Sequence, residues 1–332
     1  MRHNNSTYIL GLGYYVPQQV LSNRQLERMV NTSDEWIVTR TGIRERRMAA
    51  PGETCSDLAH KAALMAMEMA GIGAKEITHI FVATFTPDYC TPTAGCVLQD
   101  KLGAINCEMA MDIAAGCSGF SYGLEVSRGI VAVRPDAKIL LVGSEVCTSR
   151  VNFEDRNTCV LFGDGAGAAL LSGEGKGCSR VVDILLKADG SLGHLLPVGK
   201  EGGSASPFQV GQKVSEDYFI QMQGRELFKH AVRGMAEMNL RLLEKNHLSL
   251  SEISLFIPHQ ANLRIIDAVA KKMNFPREKV FVNVDRYGNT SAASVIIALS
   301  EAYYEKRISA GDKVLLSTFG AGLTWGSFLL QF

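Results

Sequence analysis

The sequence lacks any excess of charge. Across 332 residues, 34 Lys and Arg stand against 34 Asp and Glu, a formal net charge of zero. No bulk field therefore draws the chain to nucleic acid or to an anionic membrane, although a local patch stays open. No apolar run approaches the length of a membrane span. The stretch from Met1 to Thr7 has no apolar core of the kind a signal peptide carries. None of the eight cysteines forms a CxxC pair, and none lies beyond Cys178. That spacing suits neither a disulfide framework nor a metal site, and fits free thiols in a reducing compartment. The expectation is a cytoplasmic protein with no metal, no nucleic-acid partner and no membrane partner.

What is present is ordinary for a soluble globular enzyme, with 46% hydrophobic and 20% charged residues. The length calls for two domains or one large layered one. Strand-like and helix-like segments alternate, which argues for an α/β fold. The two halves also echo each other. Glu76-Ile77 and Glu252-Ile253 open similar runs 176 residues apart, and Lys138 and Lys313 open another pair 175 apart. Between these landmarks, Cys117 and Asn289 lie 172 apart, each at a turn that opens a helix. A near-constant offset implies a duplicated unit with pseudo-two-fold symmetry. The halves are expected at 1–173 and 174–332, joined near Ser172–Gly177, with a polar surface loop at Gly199–Ser204.

The chemistry-bearing stretch is Asp112-Ile113-Ala114-Ala115-Gly116-Cys117-Ser118-Gly119-Phe120. A strand pattern ends there and a helical one begins, with Phe120, Leu124, Ile130 and Val131 at roughly helical spacing. Cys117 near a helix start, among small residues, is placed as a nucleophile whose thiolate the helix dipole favours. The alternative is a small apolar residue in a core. His259, in Ile257-Pro258-His259-Gln260-Ala261-Asn262, stands where a strand opens into a helix, a common ligand position in α/β proteins; core packing is the other reading. Asn289 reads as a helix cap or, through the repeat, as a third site residue. A backbone N–H near Ala321, in Gly320-Ala321-Gly322, suits an oxyanion hole. The run from Gly163 to Ala168 leads into a strand pattern and reads as close packing, not as a dinucleotide fingerprint.

Thr32-x-x-Glu35 has the form of a capping box, which puts Trp36 and Arg40 on one helix face. An indole beside a guanidinium can sandwich an adenine, or simply form a surface pair. Arg264, Lys271 and Lys272 share a predicted helix, and Lys229 and Arg233 follow Phe228. By themselves such charges read as a solvated face.

These motifs, with Phe162-Gly163-Asp164-Gly165-Ala166-Gly167, Gly288-Asn289-Thr290-Ser291-Ala292 and Leu323-Thr324-Trp325-Gly326, resemble the β-ketoacyl-acyl carrier protein synthase III family of thiolase-like condensing enzymes. The resemblance runs from Ile9 to Phe332. It implies a homodimer of thiolase-like, five-layer α-β-α-β-α subunits. It implies an acyltransferase that starts type II fatty acid synthesis by condensing acyl-CoA, a substrate and not a cofactor, with malonyl-acyl carrier protein. Cys117 then carries the acyl group, the N–H groups of Cys117 and Ala321 hold the oxyanion, and His259 and Asn289 support decarboxylation. The CoA channel takes Thr32, Trp36, Arg40, Arg156, Phe228, Ala261 and Asn262. Asn157 stands where many relatives have glycine. Lys229, Arg264, Lys271 and Lys272 face the acidic carrier protein. Thr91 replaces a common phenylalanine of the acyl pocket, which points to longer or branched primers. Two other readings are kept: a thiolase-fold enzyme of secondary metabolism with another primer, and a Cys-His-Asn hydrolase. The complete triad argues against a non-catalytic binding protein.

Overall fold

Strands that are apolar on both faces need a cover on both faces. Such strands set the architecture. In chain order the strands are β1 (Thr7–Tyr15), β2 (Gln19–Ser22), β3 (Glu45–Met48), β4 (His79–Ala83), β5 (Met109–Ile113), β6 (Ile139–Val146), β7 (Asp164–Ser172), β8 (Ser179–Ala188), β9 (Leu255–Pro258), β10 (Lys313–Gly320) and β11 (Thr324–Gln331). The helices are α1 (Asn23–Leu26), α2 (Asp34–Thr41), α3 (Cys55–Ala70), α4 (Ala94–Leu102), α5 (Gly119–Val133), α6 (Gly224–Lys245), α7 (Leu263–Lys272), α8 (Val284–Tyr287) and α9 (Ser294–Tyr304). β4 and β7 are buried at every position, and β6 at all but its last. The computed structural model describes residues 6–175, 177–201, 206 and 211–332. Lys176 of the expected join and Gly202, Gly203 and Ser204 of the expected loop lie outside the described residues.

Nine strands form one hydrogen-bonded order, β5-β4-β6-β7-β1-β8-β11-β10-β9. The order is two half-sheets joined only where Thr7–Ile9 of β1 pairs with Ser179–Val181 of β8. Each half has a parallel pair followed by antiparallel neighbours: β4 with β6, then β7 and β1; β9 with β10, then β11 and β8. α3 covers the outer face of the first half-sheet and α6 that of the second. α5 and α9 lie between, touching strands of both. Their Phe120, Leu124, Val295, Ile296 and Leu299 form the central core with both half-sheets. The layers are thus α-β-α-β-α.

The duplication is visible in detail, with one correction. A 3₁₀ turn at Gly116–Ser118 precedes α5, and another at Ser291–Ala293 precedes α9. Gly116 and Ser291, 175 residues apart, hold matching φ values of 50° and 51°. Cys117 therefore corresponds to Ala292, and Asn289 to Ala114. The expected equivalence of Cys117 with Asn289 fails by three residues, the difference between 172 and 175.

Candidate active site

Cys117 sits in the turn between β5 and α5, two residues before the first residue of α5, and is 8% exposed. The end of β10 presses against it. A Cβ on Gly320 would stand 2.7 Å from Cys117 N, so only glycine admits this approach. A Cβ on Gly116 would stand 3.2 Å from Ala321 N, which places the Ala321 amide beside the same turn. The helix start does not hold the thiol ionised in the free protein. Burial pushes Cys117 up to about 12, the adjacent Ser291 hydroxyl pulls it down, and Glu145 raises it. Here desolvation outweighs the dipole.

His259 follows β9, and its N–H donates to Ser317 O at 2.7 Å. Burial drives its imidazole down to about 3, so the ring is neutral. Its Nδ1 lies 2.5 Å from Ser294 Oγ, and Gln260 N–H donates to that same oxygen at 3.4 Å. When this hydroxyl donates to Nδ1 the ring proton sits on Nε2, the tautomer that leaves an N–H free for a ligand. Gln260 locks the segment: its Nε2 donates to Pro258 O and Phe281 O, and its Oε1 accepts from Asn283 N and Val284 N. Asn289 is held through its backbone, with N donating to Leu161 O at 2.8 Å and O accepting from Gly163 N at 3.1 Å. Its Oδ1 accepts from Ser291 N at 2.9 Å, so Nδ2 is left as the donor. The segment from Asn289 to Ser294 is the hub: it carries Asn289, adjoins Cys117 through Ser291, and fixes His259 through Ser294.

Asn289 also lines a cavity of about 1030 Å³ that opens to the surface. Trp36, Arg40, Phe228, Ala261, Asn262 and Arg264 line it too, with Asn157. Trp36 has the Arg40 guanidinium 4.8 Å from its ring centroid and that of Arg156 5.0 Å away. Arg264 stands 6.0 Å over Phe228. Asn262 caps α7 through Arg264 N and reaches back to Arg40 O. An indole among guanidiniums suits a flat, anionic ligand group.

The chain matches the model of the 3-oxoacyl-[acyl-carrier-protein] synthase III family over residues 111–190 and that of its C-terminal part over 243–332. It is 51% identical to the β-ketoacyl-[acyl-carrier-protein] synthase III of Oleidesulfovibrio alaskensis over 98% of each chain. The chain belongs to the synthase III family. The crystal structure of 3-oxoacyl-[acyl-carrier-protein] synthase III from Aquifex aeolicus superposes with a TM-score of 0.89 at 44% identity, covering 98% of this chain and 100% of that one. The priming β-ketosynthase of the R1128 polyketide pathway superposes at 0.90 and 32% identity, covering 98% and 96%.

Within this synthase III frame the other predicted residues are placed as follows. The cap of α2 is Ser33, whose Oγ accepts from Trp36 N at 3.1 Å; the expected box from Thr32 to Glu35 does not form. The extended Ser33 backbone carries its hydroxyl to the helix start. Thr32 Oγ1 is instead buried without a partner. Lys229 pairs with Glu226 and Arg233 with Glu237, while Lys271 and Lys272 are exposed in the last turn of α7. Thr91 is exposed on the chain's own surface and does not line the cavity. Gly163 and Gly167 are packing positions, as a Cβ there would meet Tyr287 O at 2.2 Å and Ile296 Cγ2 at 2.6 Å. Sequence reasoning missed Glu145, Ser291 and Ser294. The two serines stand in or just after a quoted motif; Glu145 merely ends an apolar run.

Proposed function

We propose that the chain condenses an acyl-CoA with malonyl-acyl carrier protein to give β-ketoacyl-acyl carrier protein, CO₂ and CoA, through a thioester on Cys117. The observation that supports this most is the convergence of Cys117, His259 and Asn289 on one segment beside a cavity with an arginine-flanked tryptophan. In the first half-reaction Cys117 sulfur attacks the acyl-CoA carbonyl, and the N–H groups of Cys117 and Ala321 hold the oxyanion. CoA leaves along the cavity, its adenine on Trp36 between Arg40 and Arg156, its arm past Phe228, Ala261, Asn262 and Thr32. In the second, His259 Nε2–H and Asn289 Nδ2 donate to the malonyl thioester oxygen as CO₂ departs. Both donors are neutral and preoriented, so charge developing on that oxygen meets fixed dipoles without reorganisation. The enolate carbon then attacks the acyl-cysteine and restores Cys117. The chemistry needs no cofactor or metal.

The enzyme works in the cytoplasm, in keeping with the absence, among the described residues, of a helix long and apolar enough to cross a membrane. It works as a homodimer, in keeping with the edge position of β5, where Met109 is 45% exposed beside Ile105 at 69%. The carrier protein docks on Lys229, Arg264, Lys271 and Lys272. In the dimer Thr91 reaches the partner's acyl pocket and leaves it open for longer primers. The R1128 likeness favours a second reading in which the primer belongs to another pathway. One experiment serves both. Acyl adducts on the whole protein, read by mass with acetyl-, butyryl- and octanoyl-CoA, are expected on the wild type and absent from Cys117→Ala. Rapid hydrolysis instead of transfer to malonyl-acyl carrier protein defeats the synthase reading. Thr91→Phe is expected to shift preference toward acetyl-CoA, and an unchanged profile removes Thr91 from the pocket.

A further inference from the structure

Behind the nucleophile lies a carboxyl group that neither half-reaction uses. Glu145, near the end of β6, is fully buried. Its Oε2 accepts from Thr84 Oγ1 at 3.0 Å, Phe85 N at 3.2 Å and Thr86 Oγ1 at 2.7 Å. Both threonine hydroxyls accept a backbone N–H of their own, from Thr86 and Val146, so they are oriented as donors to Glu145. Oε1 has no partner, and neither has Ser291 Oγ, although both are buried. The turn that carries Ser291 packs both against the turn that carries Cys117 and against β6, which carries Glu145, so the unbonded Ser291 hydroxyl stands between the two groups. Ser291 holds its place with a φ of 51°, a conformation side-chain-bearing residues seldom adopt. The titratable groups packed around the carboxyl are thiols: Cys117, Cys55 of α3 and Cys147 after β6.

Two orphan oxygens in a dry interior are costly, and turning the Ser291 hydroxyl so that its own proton meets Glu145 Oε1 removes the cost for both. We propose that Glu145 is the proton store for Cys117, reached through the Ser291 hydroxyl. This rests on Cys117 being the nucleophile. In acylation the Cys117 S–H bond breaks, its proton passes to Ser291 Oγ, and the Ser291 proton passes to Glu145 Oε1. The sulfur electron pair forms the C–S bond, and the departing CoA thiolate takes a proton from water. In condensation the enolate forms the C–C bond, Cys117 leaves as thiolate, and the proton returns from Glu145 through Ser291. The store is back in its starting form after each turnover. Burial sets Glu145 at about 7, a value at which a carboxyl both takes and gives a proton near neutrality.

The test is single-turnover acylation of the whole protein by acetyl-CoA, read by mass from about pH 5 to about pH 9. The wild-type rate is expected to rise through a midpoint near 7. Glu145→Gln keeps an acceptor for the three donors but cannot take a proton. It is expected to acylate about 10²-fold more slowly at high pH and to lose the midpoint. Ser291→Gly, which suits the positive φ, is expected to do the same. Far-UV circular dichroism and CoA affinity near wild type in both variants show that the fold is intact. An unchanged midpoint in Glu145→Gln overturns the proposal, as does full-rate acylation by Ser291→Gly. An acetyl adduct on Cys117→Ala overturns the nucleophile itself, and the proton store with it.

Discussion

A neutral imidazole donates from one nitrogen only, so its tautomer decides whether His259 can serve a thioester oxygen. The hydroxyl that decides it is Ser294, 2.5 Å from Nδ1. Ser294→Ala removes the only side chain among the described residues that bonds to the ring, and the proton is then free to move to Nδ1. We expect malonyl decarboxylation to fall by up to about 10²-fold, the scale of losing one oxyanion donor, while acylation of Cys117 holds. ¹⁵N NMR of the histidine ring reads the cause directly: a proton on Nε2 in the wild type, a mixture in Ser294→Ala, and recovery in Ser294→Thr. A wild-type ring protonated on Nδ1 would refute the assignment. Cys117 and His259 were singled out in the sequence because each stands where a strand pattern turns toward a helical one, whereas Asn289 was singled out through a repeat register that the backbone shifts by three residues. Glu145 was not, because its meaning comes from Thr84, Thr86 and Ser291, which only the folded chain brings to it. The protonation of Cys117 was misread for the same reason. A helix start can be seen in a sequence; burial at that start cannot.

At the scale of elements, the layered α/β order followed from alternating patterns, and the duplication followed from offsets near 175 residues. The register of the repeat was less legible, since matching a reactive residue to a reactive residue aligned Cys117 with Asn289. Backbone shape, through Gly116 and Ser291, makes the correct pair Cys117 and Ala292. The α2 cap was misplaced by one residue because Thr32 and Ser33 are both competent caps, and only the extended backbone at Ser33 selects between them. α7 carries the element-scale prediction. Its first turn bears Arg264 at the cavity mouth and its last turn bears Lys271 and Lys272, all exposed. Arg264→Glu combined with Lys271→Glu should raise KM for malonyl-acyl carrier protein and weaken the salt dependence of that KM, because exposed charges act mainly on association. The acylation rate at saturating acetyl-CoA should stay near wild type. Carrier-protein kinetics indifferent to both salt and charge reversal would move docking off this helix.

For the whole molecule, the buried site groups couple folding to pH in opposite directions. His259 falls from 6.5 to about 3 on folding. The unfolded chain therefore binds more protons in that window, and this group's contribution to stability is lost as pH falls through it. Glu145 rises from 4.5 to about 7, and Asp164 from 3.8 to about 6, in both cases chiefly through burial. There the folded chain binds more protons, so their contribution is fully present below the unfolded value and is lost as pH rises through the folded one. Glu145→Gln removes the Glu145 share of the second slope without changing side-chain size. Its Tm relative to wild type should accordingly climb between pH 4.5 and about 7 and then level off, the window that Glu145 itself spans. Thermal melts of the two proteins across that range measure the difference, in which the contributions of His259 and Asp164 cancel. Parallel curves, offset by a constant at every pH, would mean that Glu145 keeps its ordinary proton affinity inside the fold despite its burial.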